Sequence, residues 1–322
     1  MLSRNQSLDT IRGIAIILVI LAHYFSNSIK YDDITYILGN YTINIGFLGR
    51  GGVMLFFFLS GFLITKSFNN NQNLVSFYKS RFFRIYPPYL FSILIYFLLS
   101  IFLFRFTEQY SFKEYLYNIL MIQDFLYSPF VSNVYWTLLI EIKFYFLIPL
   151  IFLFDKKIKI SFIDITFISI IMLNIYIFFM RGHPSWLLTW FVFFWIGVYL
   201  YKHYTQSISL RKLFIISFSA FIYLVLLKEF VLSCFLIINL ILFMFFYHKN
   251  ISNKFIAFLG EISYSFYLLH TMISYPLLYL MTKYITQEFL LVKVLIVFLI
   301  SVFISYFSYY YIERLYYKIK GD

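Results

Sequence analysis

Ile11-Arg12-Gly13-Ile14-Ala15-Ile16-Ile17-Leu18-Val19-Ile20-Leu21-Ala22-His23 opens the first apolar run of the chain, which extends to Ile29. A stretch of Ile, Leu, Val and Ala this long reads as a helix across a bilayer, which takes about 17 to 25 apolar residues. The short polar start, Met1 to Thr10, and the lack of a small-residue cleavage site after the run make it an expected uncleaved signal-anchor. Arg12 and His23 break the apolar pattern. Their spacing corresponds to about three turns at 3.6 residues per turn, so both lie on nearly one face, about 16 Å apart along the axis. A histidine past the midpoint of such a run is costly in lipid and marks a functional position.

Composition extends this reading to the whole chain. Of 322 residues, 62% are hydrophobic and only 12% charged, whereas an ordinary soluble domain carries about a quarter charged residues. The chain is therefore a membrane protein. Aromatic residues make up 25%, spread along the full length, so no aromatic stripe stands out as a binding box. A net charge of +12 would point to nucleic acid in a soluble protein. In this chain basic loops that set topology and meet anionic lipid account for it, and no nucleic-acid partner is expected. The single cysteine, Cys234, lies within an apolar run and permits no internal disulfide.

Hydropathy predicts an all-α polytopic protein of about ten transmembrane helices, near 11–29, 48–65, 87–104, 135–154, 160–180, 185–201, 212–228, 230–247, 262–281 and 289–312. The sixth is interrupted by Gly197, and the seventh and eighth are separated only by Lys228-Glu229. With this count, 17 of the 26 basic residues fall on the side of the N-terminus and 7 on the other. That asymmetry predicts both termini in the cytoplasm. Two connections are long. Lys66 to Tyr86 is polar and basic and closes on Pro87-Pro88; Arg105 to Val134 contains Ser111 to Gln123, a short interfacial helix by pattern. No internal repeat is evident, and residues 1–322 read as a single membrane domain.

Titratable residues inside or beside these spans are the chemical candidates. Arg12 sits at the cytoplasmic edge of the first helix, where a snorkelling anchor would also sit. His23 falls in the outer half, and imidazole is the usual general base near neutral pH. Gly61 and Ser60 in Phe56-Phe57-Phe58-Leu59-Ser60-Gly61-Phe62 fit close helix approach, with Ser60 able to bond across an interface or to a substrate carbonyl. Arg81 and Arg84 share a face if helical and suit a phosphorylated cytosolic ligand. Glu141, in Tyr135-Trp136-Thr137-Leu138-Leu139-Ile140-Glu141, lies at a depth similar to His23 and is expected to orient and charge-stabilise its imidazole. Ser263, Tyr267 and His270 form a polar stripe that argues for a lined cavity. No Cys, His or carboxylate set has metal-ligand spacing, so no catalytic metal is expected.

Arg12 with His23, Gly52-Val53 through Phe62, Arg81-Phe82-Phe83-Arg84, Trp136-Thr137-Leu138 with Glu141 and Phe144-Tyr145, and Gly260-Glu261-Ile262-Ser263-Tyr264 with Tyr267-Leu268 and His270 occur in this order. Together they resemble acyltransferase family 3, the multi-pass bacterial membrane O-acyltransferases that modify surface glycans. The resemblance implies a cytoplasmic acyl-CoA donor, with acetyl-CoA the default co-substrate and no permanently bound cofactor. It also implies a carbohydrate hydroxyl on a surface polysaccharide or lipid-linked glycan as acceptor, and a place in the bacterial inner membrane. His23 is then the catalytic residue, acting as base or becoming acylated itself. Arg12, Arg81 and Arg84 would help hold the CoA. Ser60, Trp136, Glu261, Tyr264 and His270 would line or support the substrate site. Met54 stands where the family often has an acidic residue, Thr137 replaces a usual Ser, and Lys143 is unusual. The chain ends at Asp322, so the esterase-like domain of some relatives is expected to be missing. The alternative is a transporter or flippase for a glycan or lipid-linked substrate, which would favour inverted repeats and paired broken helices.

Overall fold

The computed structural model describes residues 5–25, 45–70, 72–102, 109–157, 161–284 and 289–314. All regular structure in them is helical: α1 (Gln6–Phe25), α2 (Phe47–Asn70), α3 (Leu74–Phe102), α4 (Phe112–Ile119), α5 (Tyr135–Lys157), α6 (Phe162–Arg181), α7 (Trp186–Tyr204), α8 (Leu210–Leu226), α9 (Phe230–His248), α10 (Lys254–Glu261), α11 (Ser263–Tyr284) and α12 (Leu290–Ser308), which runs into a π-helical turn, Tyr309–Glu313. The expected ends of the first, third and fifth spans at 26–29, 103–104 and 160 lie outside the described residues.

Among the described residues seven helices are long and apolar enough to cross a membrane, namely α1, α2, α3, α5, α6, α9 and α12, and eight if α10 and α11 form one broken span bent by 77°. The sequence-based count of ten also takes in α7 and α8. Both are helices, but α7 is rich in Trp and Tyr and ends on Lys202 and His203, and α8 has only 17 residues.

Two boundaries differ from expectation. Residues 74–86, read as a polar loop, are the first turns of α3, which continues through Pro87 and Pro88. Nothing before the prolines breaks a helix, and proline's fixed φ is itself helical; what the pair removes is the N–H partner of the Phe83 and Arg84 carbonyls. At the neighbouring carbonyl, Ile85 O accepts from Tyr264 Oη at 2.8 Å. The expected helix at 262–281 is preceded by a separate one, α10, whose start is capped by Asn253 Oδ1 accepting from Phe255 N and Ile256 N, each at 3.0 Å.

Packing divides the chain into two units. The first comprises residues to 49, 80–136 and from 252 onward. Its centre is α1, whose Leu8, Ile11, Ala15, Ile16, Val19 and Ile20 are buried, packed on α10 and α11, with α12 against α11. A Cβ on Gly13 would fall 1.9 Å from Ile256 O, and one on Gly260 would fall 1.8 Å from Asp9 O. Only glycine lets α1 and α10 touch backbone to backbone in this way. The Tyr24 hydroxyl donates to Ser301 Oγ at 2.9 Å, tying α1 to α12. The expected short helix between 111 and 123 is α4, closed by a capping box between Ser111 and Glu114. The backbone N–H of Ser111, then its hydroxyl, hold the Glu114 carboxyl below the usual carboxylate range. Asn118 fastens the segment after α4, donating to Pro129 O at 3.0 Å and accepting from Val131 N at 3.1 Å.

The second unit comprises residues 50–79 and 137–251. Its core is α7, buried without a break from Thr189 to Leu200; a helix apolar all round needs neighbours on every side. Phe194 stacks between Phe57 of α2 (ring centroids 4.3 Å) and Phe144 of α5 (4.2 Å). Gly197, which reads as an interruption, is the contact point instead: a Cβ there would lie 2.1 Å from Phe58 O, and one on Gly61 would lie 2.0 Å from Phe194 O.

Candidate functional site

His23 sits near the end of α1, on the face that α11 covers. Its Nδ1 is 2.8 Å from Val19 O, one turn back, and 3.3 Å from Nε2 of His270 on α11. The two rings meet edge to face with centroids 4.8 Å apart. His270 is fully buried, and its Nδ1 faces Tyr267 O at 2.8 Å and Phe266 O at 3.2 Å. Tyr267 in turn donates to Val134 O at 3.3 Å. His23 is half-buried. Among the described residues Val19 O and His270 are its polar partners, and both meet Nδ1. On the same stretch of α1, an open apolar groove of about 270 Å³ runs between Ile17, Ile20, Leu21 and Tyr24 and the α12 side chains Leu291, Leu295 and Phe298.

Three turns back along α1, Arg12 Nη1 donates to Asp9 Oδ1 at 3.1 Å. Asp9 backbone is where Gly260 of α10 approaches most closely, so the break between α10 and α11 lies beside the Arg12 end of α1. Glu261, at that break, accepts a hydrogen bond from Tyr309 in the π-helical turn. Tyr264, the second residue of α11, reaches Ile85 O of α3. Arg81 and Arg84 precede that carbonyl on the same helix, both half-buried, on one face as i and i+3. Trp136 lies half-buried in the first turn of α5. The first unit thus contains Arg12, His23, Arg81, Arg84, Trp136, Glu261, Tyr264 and His270.

Ser60 and Glu141 belong to the second unit. Ser60 Oγ donates to Glu141 Oε1 at 2.6 Å, and Tyr145, one turn along α5, donates to the same oxygen. Among the described residues these two hydroxyls are the hydrogen-bond partners of Glu141, and His270 is the side chain hydrogen-bonded to His23. The sequence marks His270 without pairing it to His23, gives Tyr145 only as part of a motif, and does not single out Asp9 or Tyr309. Asp9 and Tyr145 carry a readable signal, lying three and four residues from Arg12 and Glu141 on their helices. Tyr309 and His270 meet their partners across 48 and 247 residues, which no local spacing encodes. Among the described residues no group of three or more His, Cys, Asp and Glu is placed to hold a metal.

Residues 5–310 match the family described as an acyltransferase domain. Over 247 residues the chain is 30% identical to the protein named "Putative acetyltransferase ORF330" of Acidianus two-tailed virus, an alignment that takes in 69% of this chain and 72% of the viral protein. No solved structure matches the chain. The family match takes in both units, every helix named above and each of the motif residues on them, and on that ground the chain belongs to acyltransferase family 3, as a multi-pass membrane acyltransferase.

Proposed function

We propose that the protein transfers an acyl group, acetyl by default, from cytoplasmic acyl-CoA to a hydroxyl of a surface or lipid-linked polysaccharide, with His23 as the general base. The observation that carries this reading is the disposition of the His23 ring. Nδ1 is occupied by Val19 O and His270 while Nε2 has no polar partner among the described residues, on a helix otherwise apolar enough to span lipid. A neutral imidazole so placed takes the proton of an acceptor hydroxyl as its oxygen attacks the thioester carbon. The C–S bond breaks, and the CoA thiolate recovers the proton from Nε2. Burial in the membrane keeps water from the thioester.

Arg81 and Arg84, three apart on α3, are suited to pair with CoA phosphates. Arg12 marks the cytoplasmic end of the helix that carries His23. Trp136, Glu261 and Tyr264 support the substrate path in this proposal, and Glu141, held by Ser60 and Tyr145, supplies a catalytic carboxylate as the second catalytic group, in addition to the His23 imidazole. The ten-span topology with both termini in the cytoplasm of a bacterial inner membrane rests on the basic-residue asymmetry, 17 against 7. Family membership favours chemistry over transport.

The test is His23→Ala in the native host, with polysaccharide esters read by NMR. Removal of a general base costs about 10²- to 10⁴-fold in rate, so ester content should fall to that of a gene deletion. Unchanged esters at normal expression, with the deletion ester-free, sink the assignment.

A further inference from the structure

We propose that His270 is the positioning residue for His23: its Nε2 accepts a share of the His23 Nδ1–H and so holds the base with Nε2 bare toward the acceptor hydroxyl. The inference rests on the reading of His23 as base and deepens it.

Hydrogen-bond inventory sets the direction. A neutral imidazole carries one N–H, and a carbonyl oxygen only accepts. Val19 O, 2.8 Å from His23 Nδ1, therefore places the hydrogen of His23 on Nδ1. Tyr267 O, 2.8 Å from His270 Nδ1, does the same for His270. The Nε2 of His270 is then a bare lone pair, and it faces the His23 Nδ1–H at 3.3 Å. The reverse arrangement, with hydrogen on His270 Nε2, would set two donors against each other. No carboxylate among the described residues bonds to either ring to offset the extra charge.

This fixes what each nitrogen does. His23 shares one N–H between Val19 O and His270 Nε2, which locks its tautomer and the rotation of its ring. When Nε2 takes the acceptor proton, the imidazolium N–H becomes a stronger donor and both acceptors gain. His270 thus does for His23 what a carboxylate does in a Ser-His-Asp triad, without an anion buried in lipid. His270 exchanges no proton itself. Its own ring is held by Phe266 O and Tyr267 O and is fully enclosed, so the support is rigid.

The experiment uses native-host membranes carrying the full-length chain, with labelled acetyl-CoA as donor. Released CoA thiol and label incorporated into polysaccharide are the readouts. His270→Phe keeps a ring but no acceptor; it should lower the maximal rate by about 100-fold, the scale of a misplaced catalytic group, with the KM for acetyl-CoA within about 2-fold of wild type. His270→Gln puts an amide oxygen near the Nε2 position and should recover most of the rate, whereas His270→Asn, whose oxygen falls near Nδ1, should not. A structural role alone predicts that Gln and Asn fail alike. Equal rates for Gln and Asn at matched protein levels, or a wild-type rate for Phe, overturn the proposal, and the Gln–Asn contrast still decides it if the Phe variant accumulates poorly. His23→Ala separates the two readings: transfer surviving in it removes the base itself, whereas loss in it beside a wild-type His270→Phe removes only the positioning role.

Discussion

Glu141 accepts two hydrogen bonds on one oxygen, from the hydroxyls of Ser60 and Tyr145, which makes its charge and its hydrogen bonding separable by substitution. Glu141→Gln keeps an oxygen with two lone pairs for both hydroxyls and loses the charge. It should retain the thermal midpoint of detergent-solubilised protein within a few degrees yet lose at least about 100-fold in acetyl transfer, the lower end for a group that acts on a proton or charge. Glu141→Ala should in addition destabilise, because it removes the shared acceptor of two part-buried hydrogen bonds, at about 1–3 kcal/mol. Full transfer by the Gln variant would make the carboxylate structural. For Arg81 and Arg84 the expected split is the opposite. Each Arg→Ala removes charge-assisted bonds worth about 1.5–3 kcal/mol, so KM for acetyl-CoA should rise roughly 10- to 100-fold while the maximal rate holds. A fall in maximal rate with unchanged KM would place these arginines away from the CoA.

The α1–α10 and α2–α7 crossings rest on glycine, in keeping with a membrane in which lipid tails are as apolar as the side chains they would replace. At the α2–α7 crossing the hypothetical Cβ of Gly61 falls on Phe194 O and that of Gly197 on Phe58 O; both obstacles are backbone, so neither can swing aside. Gly61→Ala should cost at least about 1–3 kcal/mol as overpacking, seen as a clear fall in thermal midpoint and in yield of monodisperse protein. Gly182, whose added Cβ meets nothing within 4 Å but whose φ is +76°, is the contrasting case: alanine there strains only the C-cap of α6, and costs about 1 kcal/mol. If both variants melt alike, close approach is not what holds α2 to α7. The role of Gly61 was legible, because small residues at helical spacing in an apolar run have few other uses. Residues 74–86 were misread because Pro87-Pro88 looks like a helix start, whereas the pair sits inside α3. The start of α11 was legible to within one residue, at 262, whereas α10 before it was missed because its eight residues are too few to read as a span. The His23–His270 contact was hidden by distance along the chain: each residue was conspicuous alone, and only folding shows that they touch.

At the scale of the whole molecule, sequence order and packing disagree, since each unit is assembled from separated segments, and the count of crossings remains the point on which topology turns. The shortest candidate among the ten expected spans is α8. Its 17 residues reach about 26 Å against a hydrocarbon core of about 30 Å, a shortfall that local thinning or flanking residues can absorb at a fraction of a kcal/mol per Å. Its outward side chains argue for lipid contact: Phe214, Ile215, Phe218 and Leu226 are each more than half exposed, a surface that water would not tolerate. If α8 crosses, the turn before it and the start of α9 lie on opposite sides of the membrane. Cys234 is exposed and free, so Cys234→Ser gives a silent background for labelling. In it, Phe230→Cys should react with a membrane-impermeant maleimide applied to intact spheroplasts, and Ser207→Cys only after the membrane is opened. Labelling of both from one side would mean that α8 lies along the interface, would move the charges of Lys202, Arg211 and Lys212 to the same face as Lys228, and would dissolve the asymmetry from which cytoplasmic termini are inferred.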